Sequence, residues 1–343
     1  SKKPLPSLRS LSGIYIVALR ALSFTANPTA SYPVDVAGER RLKDGDVIEA
    51  TAITLVPYEY PMGPSLFAQS SDQSLMAHQR RAQIAHSIFT EVAENKLPAS
   101  TLPLAMLDLR RGAVHWVDNN MVRRDMGAVF SDDLGFGFVP RHLRRAHFKQ
   151  YDEMIDEILA ERPHARFAAA EYFVSLPSAG RMPSASVDMS TLTQYYFPES
   201  MDVEISVIPE DELATLVEES LLLPPIPLTG EEDELAAHSV MVFLPVPRQV
   251  FYGLTKKLKK APAPVGFKVK AVRSMFKPRD YIGVFRAKLP DFTPAPPKSE
   301  AGLAEVNWNT LIARERFLWF VRRRNLSYKD EVSGTAVNVM TVM

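Results

Sequence analysis

The chain has 343 residues, of which 46% are hydrophobic and 23% are charged, a composition typical of a globular protein with a core large enough for two domains. Basic and acidic residues each number 40, which excludes an overall field that would attract nucleic acid or an anionic membrane. The absence of cysteine excludes disulfides, thiolate nucleophiles and cysteine-ligated zinc.

Two β-rich stretches begin the chain. Residues 13–24 are dense in β-branched and aromatic residues and predict a strand buried on both faces, ended by Asn27 and Pro28. A turn at 43–46 leads into a second predicted strand at 47–58, and the pair predicts the start of an antiparallel sheet. Prolines and Arg9 interrupt the apolar amino end, so no signal peptide is expected. No apolar run reaches the length of about 18 residues that a membrane-spanning helix needs.

A helix and a hairpin are predicted next. Apolar residues recur at helical spacing between residues 72 and 94, and Ser71 or Asp72 can cap the helix. Residues 102–124 then predict a β-hairpin that reverses at 110–112, because Gly112 can adopt positive φ. Trp116 on its second strand is expected to anchor the core.

The second half of the chain mixes helices and strands. Glycines, a proline and a change of charge sign at 131–145 indicate a domain boundary. Helices are predicted beyond it from about 142 or 150 to 162, and at 210–222, 248–260 and 301–316. Strands are predicted at 168–176, 202–208 and 239–246, with 202–208 half-exposed. The run 317–321 fits either a strand or a buried helical turn. Proline-rich connectors are expected at 224–227 and 291–299.

These elements predict an α+β protein, with an antiparallel sheet plus helices in two domains joined by proline-rich connections. We expect a first domain over 1–140, a second over 141–330 and a β-prone tail over 331–343. The count of 27 prolines against 15 glycines disfavours a helical bundle, because proline breaks helices and suits extended connections.

No catalytic, cofactor-binding or metal-binding residue is predicted. His78 and His86 lie eight apart on one predicted helix, too far for shared chelation, and histidines on this helix are expected to be exposed. The glycines at 135 and 137 lack the lysine of a phosphate-binding loop, and the acids at 132 and 133 match no EF-hand.

Three charged clusters and the tail are the candidate partner-binding features. Arg322, Arg323 and Arg324 follow an apolar run, and we expect them to face outward towards an acidic partner surface. A second basic cluster lies at 141–149, and an acidic one at 231–234. In the uncharged tail, Val337, Val339 and Met343 share one side of a predicted strand, which pairs either with its own sheet or with a neighbouring subunit.

One stretch resembles a known family. It consists of a helix, the run Leu102-Pro103-Leu104-Ala105, and a short hairpin that ends in Val117-Asp118 and Val122-Arg123-Arg124. This arrangement resembles a segment of structural proteins of phage tails and related contractile injection particles, with an echo at 318–325. The resemblance covers well under a quarter of the chain. It implies a subunit of an assembled particle.

The sequence therefore predicts a non-catalytic structural or interaction subunit of a multiprotein assembly, located in the cytoplasm or in an assembled particle. Its expected partners are other protein subunits, in a homo- or hetero-oligomer, with no membrane, no cofactor and no nucleic acid. Two alternatives stay open. One is a hydrolase or transferase whose Asp, Glu and His converge only in the fold, and the other is a nucleic-acid-binding module that uses the local basic clusters.

Overall fold

The computed structural model describes residues 11–31, 41–59, 67, 70–90, 97, 100–123, 141–163, 166–188, 193–251, 253, 308–329 and 336–341. Helices and mainly antiparallel sheets make it an α+β protein, which confirms the predicted fold class. The chain divides into two compact units. Unit 1 contains Ser1–Gly63 and Ala93–Arg124, and unit 2 contains Pro64–Val92 and Asp125–Met343.

Unit 1 is a four-stranded antiparallel sheet. Its strands are β1 (Gly13–Ser31), β2 (Arg41–Pro57), β3 (Thr101–Arg110) and β4 (Ala113–Asp118), in the order β2-β1-β3-β4. The predicted hairpin is confirmed as β3 and β4. Arg111 and Gly112 form its turn with φ of 52° and 78°, the left-handed conformation that a two-residue hairpin loop requires.

The first two strands are longer than the sequence predicted. Asn27 and Pro28 were expected to end β1, and residues 43–46 were expected to form a turn, but both segments lie inside the strands. Asn27 adopts a φ of 55°, and its Nδ2 donates to Asp46 Oδ2 at 2.7 Å. In the described residues, the part of β1 around Pro28 pairs with β2 alone and is therefore an edge strand. An edge strand tolerates proline, because alternate N–H groups point away from the ladder and need no partner strand.

Two long helices of unit 2 follow the predicted periodicity. They are α1 (Gln73–Phe89) and α2 (Arg141–Glu161). The Asp72 side chain caps α1 by accepting from the Ser74 and Leu75 N–H groups at 3.0 and 3.3 Å, which satisfies two donors that a helix start leaves over. Arg81 is buried and donates to Glu157 at 2.6 Å, so an ion pair joins the two helices.

The main sheet of unit 2 contains β6 (Ala179–Pro183), β9 (Asp202–Pro209), β11 (Ser239–Val246) and β12 (Phe317–Arg322), in the order β6-β12-β11-β9. β9 and β11 are parallel, and the other neighbours are antiparallel. The run at 317–321 is therefore a strand. The expected half-exposure of 202–208 is wrong, because every residue from 203 to 209 is buried, as is common for parallel strands.

Shorter elements complete unit 2. Helix α4 (Glu210–Ser220) starts with three acids, as predicted, and Arg248 pairs with two of them. The predicted strand at 168–176 is instead a short helix followed by a two-residue strand. The remaining elements are α3 (Ala169–Tyr172), β5 (Ser175–Leu176), a 3₁₀ turn (Ser184–Ser186), β7 (Val187–Asp188), β8 (Thr193–Gln194), β10 (Ile226–Pro227), α5 (Glu232–Ala236), α6 (Trp308–Ile312), β13 (Arg324–Lys329) and β14 (Ala336–Thr341).

The unit boundaries differ from the expected domain boundaries. Helix α1 was expected in the first domain, but it belongs to unit 2, where it packs on α2 and α3. The number of domains stays a prediction. The indicated boundary at 131–145 lies outside the described residues up to 140, as do the connector at 291–299 and most of the predicted helix at 248–260, of which 248–251 and 253 are helical.

An aromatic cluster fills the core of unit 2. Tyr151 and Tyr196 are fully buried with their hydroxyl oxygens 2.6 Å apart, and Tyr151 donates to the Arg181 carbonyl. Phe320 packs against both rings. Gly180 is required here, because a Cβ at this position would lie 2.7 Å from Tyr151 Cε1 and 2.8 Å from Phe320 Cζ.

Trp116 provides a test of the hairpin. Its side chain is buried, with 9% of its surface exposed. We expect Trp116→Ala to lower the free energy of unfolding by about 3 kcal/mol, because truncating a buried indole removes apolar burial and leaves a cavity. Denaturant titration measures the change. The control is Val114→Ala, which changes an exposed residue of the same strand; equal losses in the two variants would contradict Trp116 as the anchor.

Candidate interaction surface

The two faces of the unit 1 sheet both carry large apolar side chains but differ in exposure. Residues paired across an antiparallel ladder lie on the same face, and successive residues alternate between faces. The first face carries Ile14, Ile16 and Ala18 of β1 with Met106 and Trp116, and all five are buried. This face supplies the buried side of the sheet.

The second face is apolar on all four strands, yet it is partly exposed. Tyr15, Val17 and Leu19 of β1 share this face with residues of the other strands through their ladder pairs. We call its exposed residues the exposed sheet face: Ile53, Leu55, Leu102, Val114 and Val117. Ile53 is the most exposed of them, at 73%. Large apolar side chains therefore lie on both faces of this sheet, and those of the second face are partly exposed.

Beyond the end of β3, the first two strands continue as a ribbon. The last pair of β1 with β3 joins Arg20 to Thr101, whereas β1 and β2 stay paired to Ser31 and Arg41. The ribbon, residues 21–31 and 41–51, is about 30 Å long at the usual rise per residue. Leu22, Phe24 and Ile48 lie on one side of it, with Phe24 opposite Ile48, and Val47 lies on the other. All four are exposed.

Exposed apolar surface is therefore concentrated in unit 1. Among the residues that the structure describes, nine of the twelve exposed large apolar side chains belong to unit 1, and three (Met76, Leu222 and Val250) belong to unit 2. Unit 1 is the smaller of the two units. A scattered distribution would need no explanation, but a concentration on one sheet indicates an interaction surface.

The predicted arginine cluster is built into the fold. Arg322 is partly buried; its Nη1 donates to the carbonyls of Pro224 and Pro225 at 2.9 and 2.6 Å, and its Nη2 lies 3.0 Å from His238 Nδ1. Burial lowers the pKa of Arg322, and burial together with this guanidinium lowers the pKa of His238. The proline-rich connector is thus held by an arginine, a role that the sequence did not indicate.

Arg323 is enclosed completely. Its Nη1 donates to Glu204 Oε2 at 2.6 Å, and neither side chain has exposed surface. The predicted outward orientation is wrong for Arg323, because its guanidinium is buried and pairs with the Glu204 carboxylate instead of facing solvent. Arg324 begins β13, and its side chain lies outside the described residues.

The predicted tail strand is present as β14. Val337 pairs with Tyr328 and Val339 pairs with Leu326 of β13, in an antiparallel two-stranded sheet. Pairing within the chain was one of the two expected arrangements. Met343 lies outside the described residues. A partner-binding role for Val337, Val339 and Met343 stays a prediction.

The histidines of unit 2 are less exposed than expected. His78 is buried, with Nε2 3.4 Å from Glu161 Oε1, and His147 is buried and stacked on Phe89. His86 Nδ1 lies 3.0 Å from Ser175 Oγ, a contact that in a catalytic dyad activates a serine. Ser175 is itself buried, so this contact connects α1 to β5 rather than facing substrate.

The described residues form neither a metal-binding group nor a membrane-spanning helix. In the described part of the chain, no group of three or more His, Asp or Glu side chains is arranged to hold a metal ion. None of the described helices has the length and apolar content that crossing a membrane requires. Comparison with models of protein families, with curated proteins and with solved structures gave no match.

The sequence missed the surface described here. The candidate partner-binding residues predicted from the sequence were Arg322 to Arg324 and the tail, whereas the exposed apolar residues lie on β1 to β4. Of these strands, only residues 13–24 of β1 were expected to be buried on both faces. A signal was present: residues 47–57 contain one charged residue, and a strand that is apolar on both sides needs protein on both sides.

The enclosed ion pair gives one prediction. We expect Arg323→Met to lower the free energy of unfolding by about 3–5 kcal/mol, because it removes the guanidinium partner of a buried carboxylate. Denaturant titration measures the loss. Arg314→Met, at an exposed arginine, is the control and should change stability by less than about 0.5 kcal/mol. The double variant Glu204→Met/Arg323→Met should recover part of the loss, and no recovery would contradict the pairing.

His147 gives a second prediction, on pH dependence. Burial, and then the nearby His86, lower the pKa of His147 from 6.5 to about 3. Below pH 6.5 the His147 side chain is therefore protonated in the unfolded chain, whereas in the folded chain it stays neutral down to about pH 3. The free energy of unfolding consequently falls as pH falls from 6.5 to 3. Between pH 7 and pH 5 the expected contribution is about 2 kcal/mol.

The measurement is the free energy of unfolding at pH 7 and pH 5 for the wild type and for His147→Phe, which retains an aromatic ring beside Phe89. Between pH 7 and pH 5, we expect the free energy of unfolding of His147→Phe to fall by about 2 kcal/mol less than that of the wild type. An equal loss in both proteins would show that other groups carry the acid sensitivity.

Proposed function

We propose that this chain is a non-catalytic structural or interaction subunit of a multiprotein assembly, and that unit 1 provides its binding surface. The observation that carries the proposal is the exposed apolar surface of the ribbon and of the exposed sheet face. Each of these side chains loses water contact when a protein partner covers it, and that loss of contact favours association by about 25 cal/mol per Å² of apolar area.

The ribbon supports this role for a second reason. A two-stranded hairpin is marginally stable in water by itself, and this ribbon has no third strand among the described residues. No described strand pairs with the outer edges of the ribbon, and a strand of another chain can bind such edges. A partner that covers Leu22, Phe24 and Ile48 supplies the packing that the ribbon lacks.

The chemistry of the surface favours a protein partner over nucleic acid. Phosphate binding needs clustered arginine and lysine, whereas the centre of a protein interface is rich in apolar and aromatic side chains and poor in charge. The exposed sheet face contains aliphatic residues alone, and the ribbon presents Phe24. The resemblance at 102–124 favours an assembly of the phage-tail or contractile-injection type.

Substitution of the ribbon tests the proposal. In Leu22→Ser/Phe24→Ser/Ile48→Ser, we expect the full-length chain, tagged and expressed in its native cells, to recover its partner subunits at a yield lower by about tenfold or more, because the apolar contact is lost. Quantitative mass spectrometry of the purified complex measures the yield. Circular dichroism and thermal unfolding check that the variant folds.

Unit 2 offers a matched control. The substituted ribbon residues are 40%, 50% and 39% exposed, and Met76, Leu222 and Val250 are 48%, 46% and 38% exposed. Met76→Ser/Leu222→Ser/Val250→Ser removes apolar surface of similar exposure from the other unit and should leave partner recovery unchanged. Equal recovery with the ribbon variant and the wild type would refute the proposed role of unit 1.

A further inference from the structure

Unit 2 contains a cleft at one end of its main sheet. Its volume is about 520 Å³, and its walls come from the end of α2, the 3₁₀ turn and the residues between α6 and β12. Apolar side chains such as Leu159, Pro163 and Pro183 line it, together with Arg314 and Arg316. The Nε of a third arginine, Arg166, donates to the carbonyl of Ala185, another lining residue, at 3.2 Å.

These arginines differ from most others in the described part of unit 2. Arg81, Arg145, Arg162, Arg181, Arg248 and Arg323 each pair with a carboxylate of the unit. Arg314 and Arg316 form no such pair with a described residue, although both are exposed, and Arg316 lies over the Phe317 ring instead. Among the described residues that line the cleft, Glu315 is the one acid. The cleft is apolar with a net positive rim, so it suits an acidic segment with small apolar side chains.

Such a segment is present in unit 2 itself. The acidic α5 segment, residues 230–237, contains the exposed acids Glu231, Glu232, Asp233 and Glu234. No described residue forms a salt bridge with any of them. Ala236 and Ala237 are exposed beside them, and their small side chains permit close approach to an apolar wall. Charge and size therefore match the cleft.

The cleft and the acidic α5 segment lie at opposite ends of the main sheet. The segment ends at Ala237, two residues before Ser239, the first residue of β11, and Arg316 directly precedes Phe317, the first residue of β12. Because β11 and β12 are antiparallel, with Val240 opposite Arg322 and Phe243 opposite Trp319, the start of one strand lies near the end of the other. At the usual rise, the eight residues of β11 separate these ends by about 20 Å.

We propose that copies of this chain associate head to tail, with the acidic α5 segment of one copy bound in the cleft of the next. The inference rests on the proposed function and adds a second copy as one partner. A head-to-tail contact leaves one cleft and one acidic α5 segment open at the two ends of each pair, so the contact repeats and gives a ring if the rotation closes or a filament if it does not. Each junction places acids beside Arg314 and Arg316.

A charge swap tests this contact. Arg314→Glu/Arg316→Glu makes the cleft acidic, and Glu231→Lys/Glu232→Lys/Glu234→Lys, which leaves Asp233 as the one acid of residues 230–237, makes the α5 segment basic. In either variant alone, the two sites carry like charge, and we expect self-association of the purified full-length chain to weaken by about tenfold or more at low salt. In an equimolar mixture each segment meets a cleft of opposite charge, and we expect association to return to within about threefold of the wild type.

Sedimentation velocity over a range of concentrations, at low and high salt, provides the measurement. Lys149→Glu is the control, because it reverses an exposed charge on α2 away from both sites and should associate as the wild type does. Recovery in the mixture also shows that both variants are folded. A monomeric wild type, single variants that associate normally, or a mixture that does not recover would each overturn the head-to-tail contact.

These outcomes are separable from those for the proposed function. The ribbon variant keeps the acidic α5 segment and the cleft intact, and its test measures recovery of partner subunits rather than self-association. Failure of the charge swap with loss of partners in the ribbon variant would remove the head-to-tail contact alone. Normal partner recovery in the ribbon variant would refute the proposed role of unit 1, whatever the charge swap gives.

Discussion

A charge enclosed by protein needs a counter-charge, and this requirement fixes the main sheet of unit 2. Glu204 belongs to β9, Arg323 follows β12, and β11 lies between these two strands. The ion pair therefore spans the junction of the parallel and antiparallel parts of the sheet. Apolar residues alone would tolerate a change of register better, since a slip of one residue exchanges one aliphatic side chain for another. A slip of β9 would turn Glu204 to the opposite face, away from its guanidinium.

The two units differ in how far they bury their apolar side chains. Unit 2 covers its strands with helices and encloses the Tyr151 and Tyr196 rings in its core, and ion pairs such as Arg248 with Asp211 lie on its surface. Unit 1 carries aliphatic residues on both faces of its sheet and continues into a ribbon with a single ladder. Within one chain, a unit with an enclosed core thus accompanies a unit that leaves large apolar side chains exposed on its sheet and ribbon.

Local signals predicted the elements that local interactions control. The period of α1, its Asp72 cap and the glycine at the β3–β4 turn act over a few residues, and all three were predicted from the sequence. The parallel pairing of β9 with β11 and the burial of Arg323 were not, because the counter-charge is 119 residues away and the sequence carries no mark of the pairing. The ribbon was missed for a related reason: Pro28 signals a strand end only where both edges are paired.

The order of strands in unit 2 has a consequence for the biosynthesis of the chain. β12 lies between β6 and β11, although it follows both in sequence, and Val321 pairs with Ala179 across more than 130 residues. As the chain leaves the ribosome, β9 and β11 can pair early, but β6 has no place in this sheet until its interior strand arrives. Closure over so long a loop is slow, and the edges of β6 and β11 stay open meanwhile. Nascent chains that end before residue 317 thus expose two strand edges that can aggregate. These edges need protection by chaperones until β12 has been synthesised.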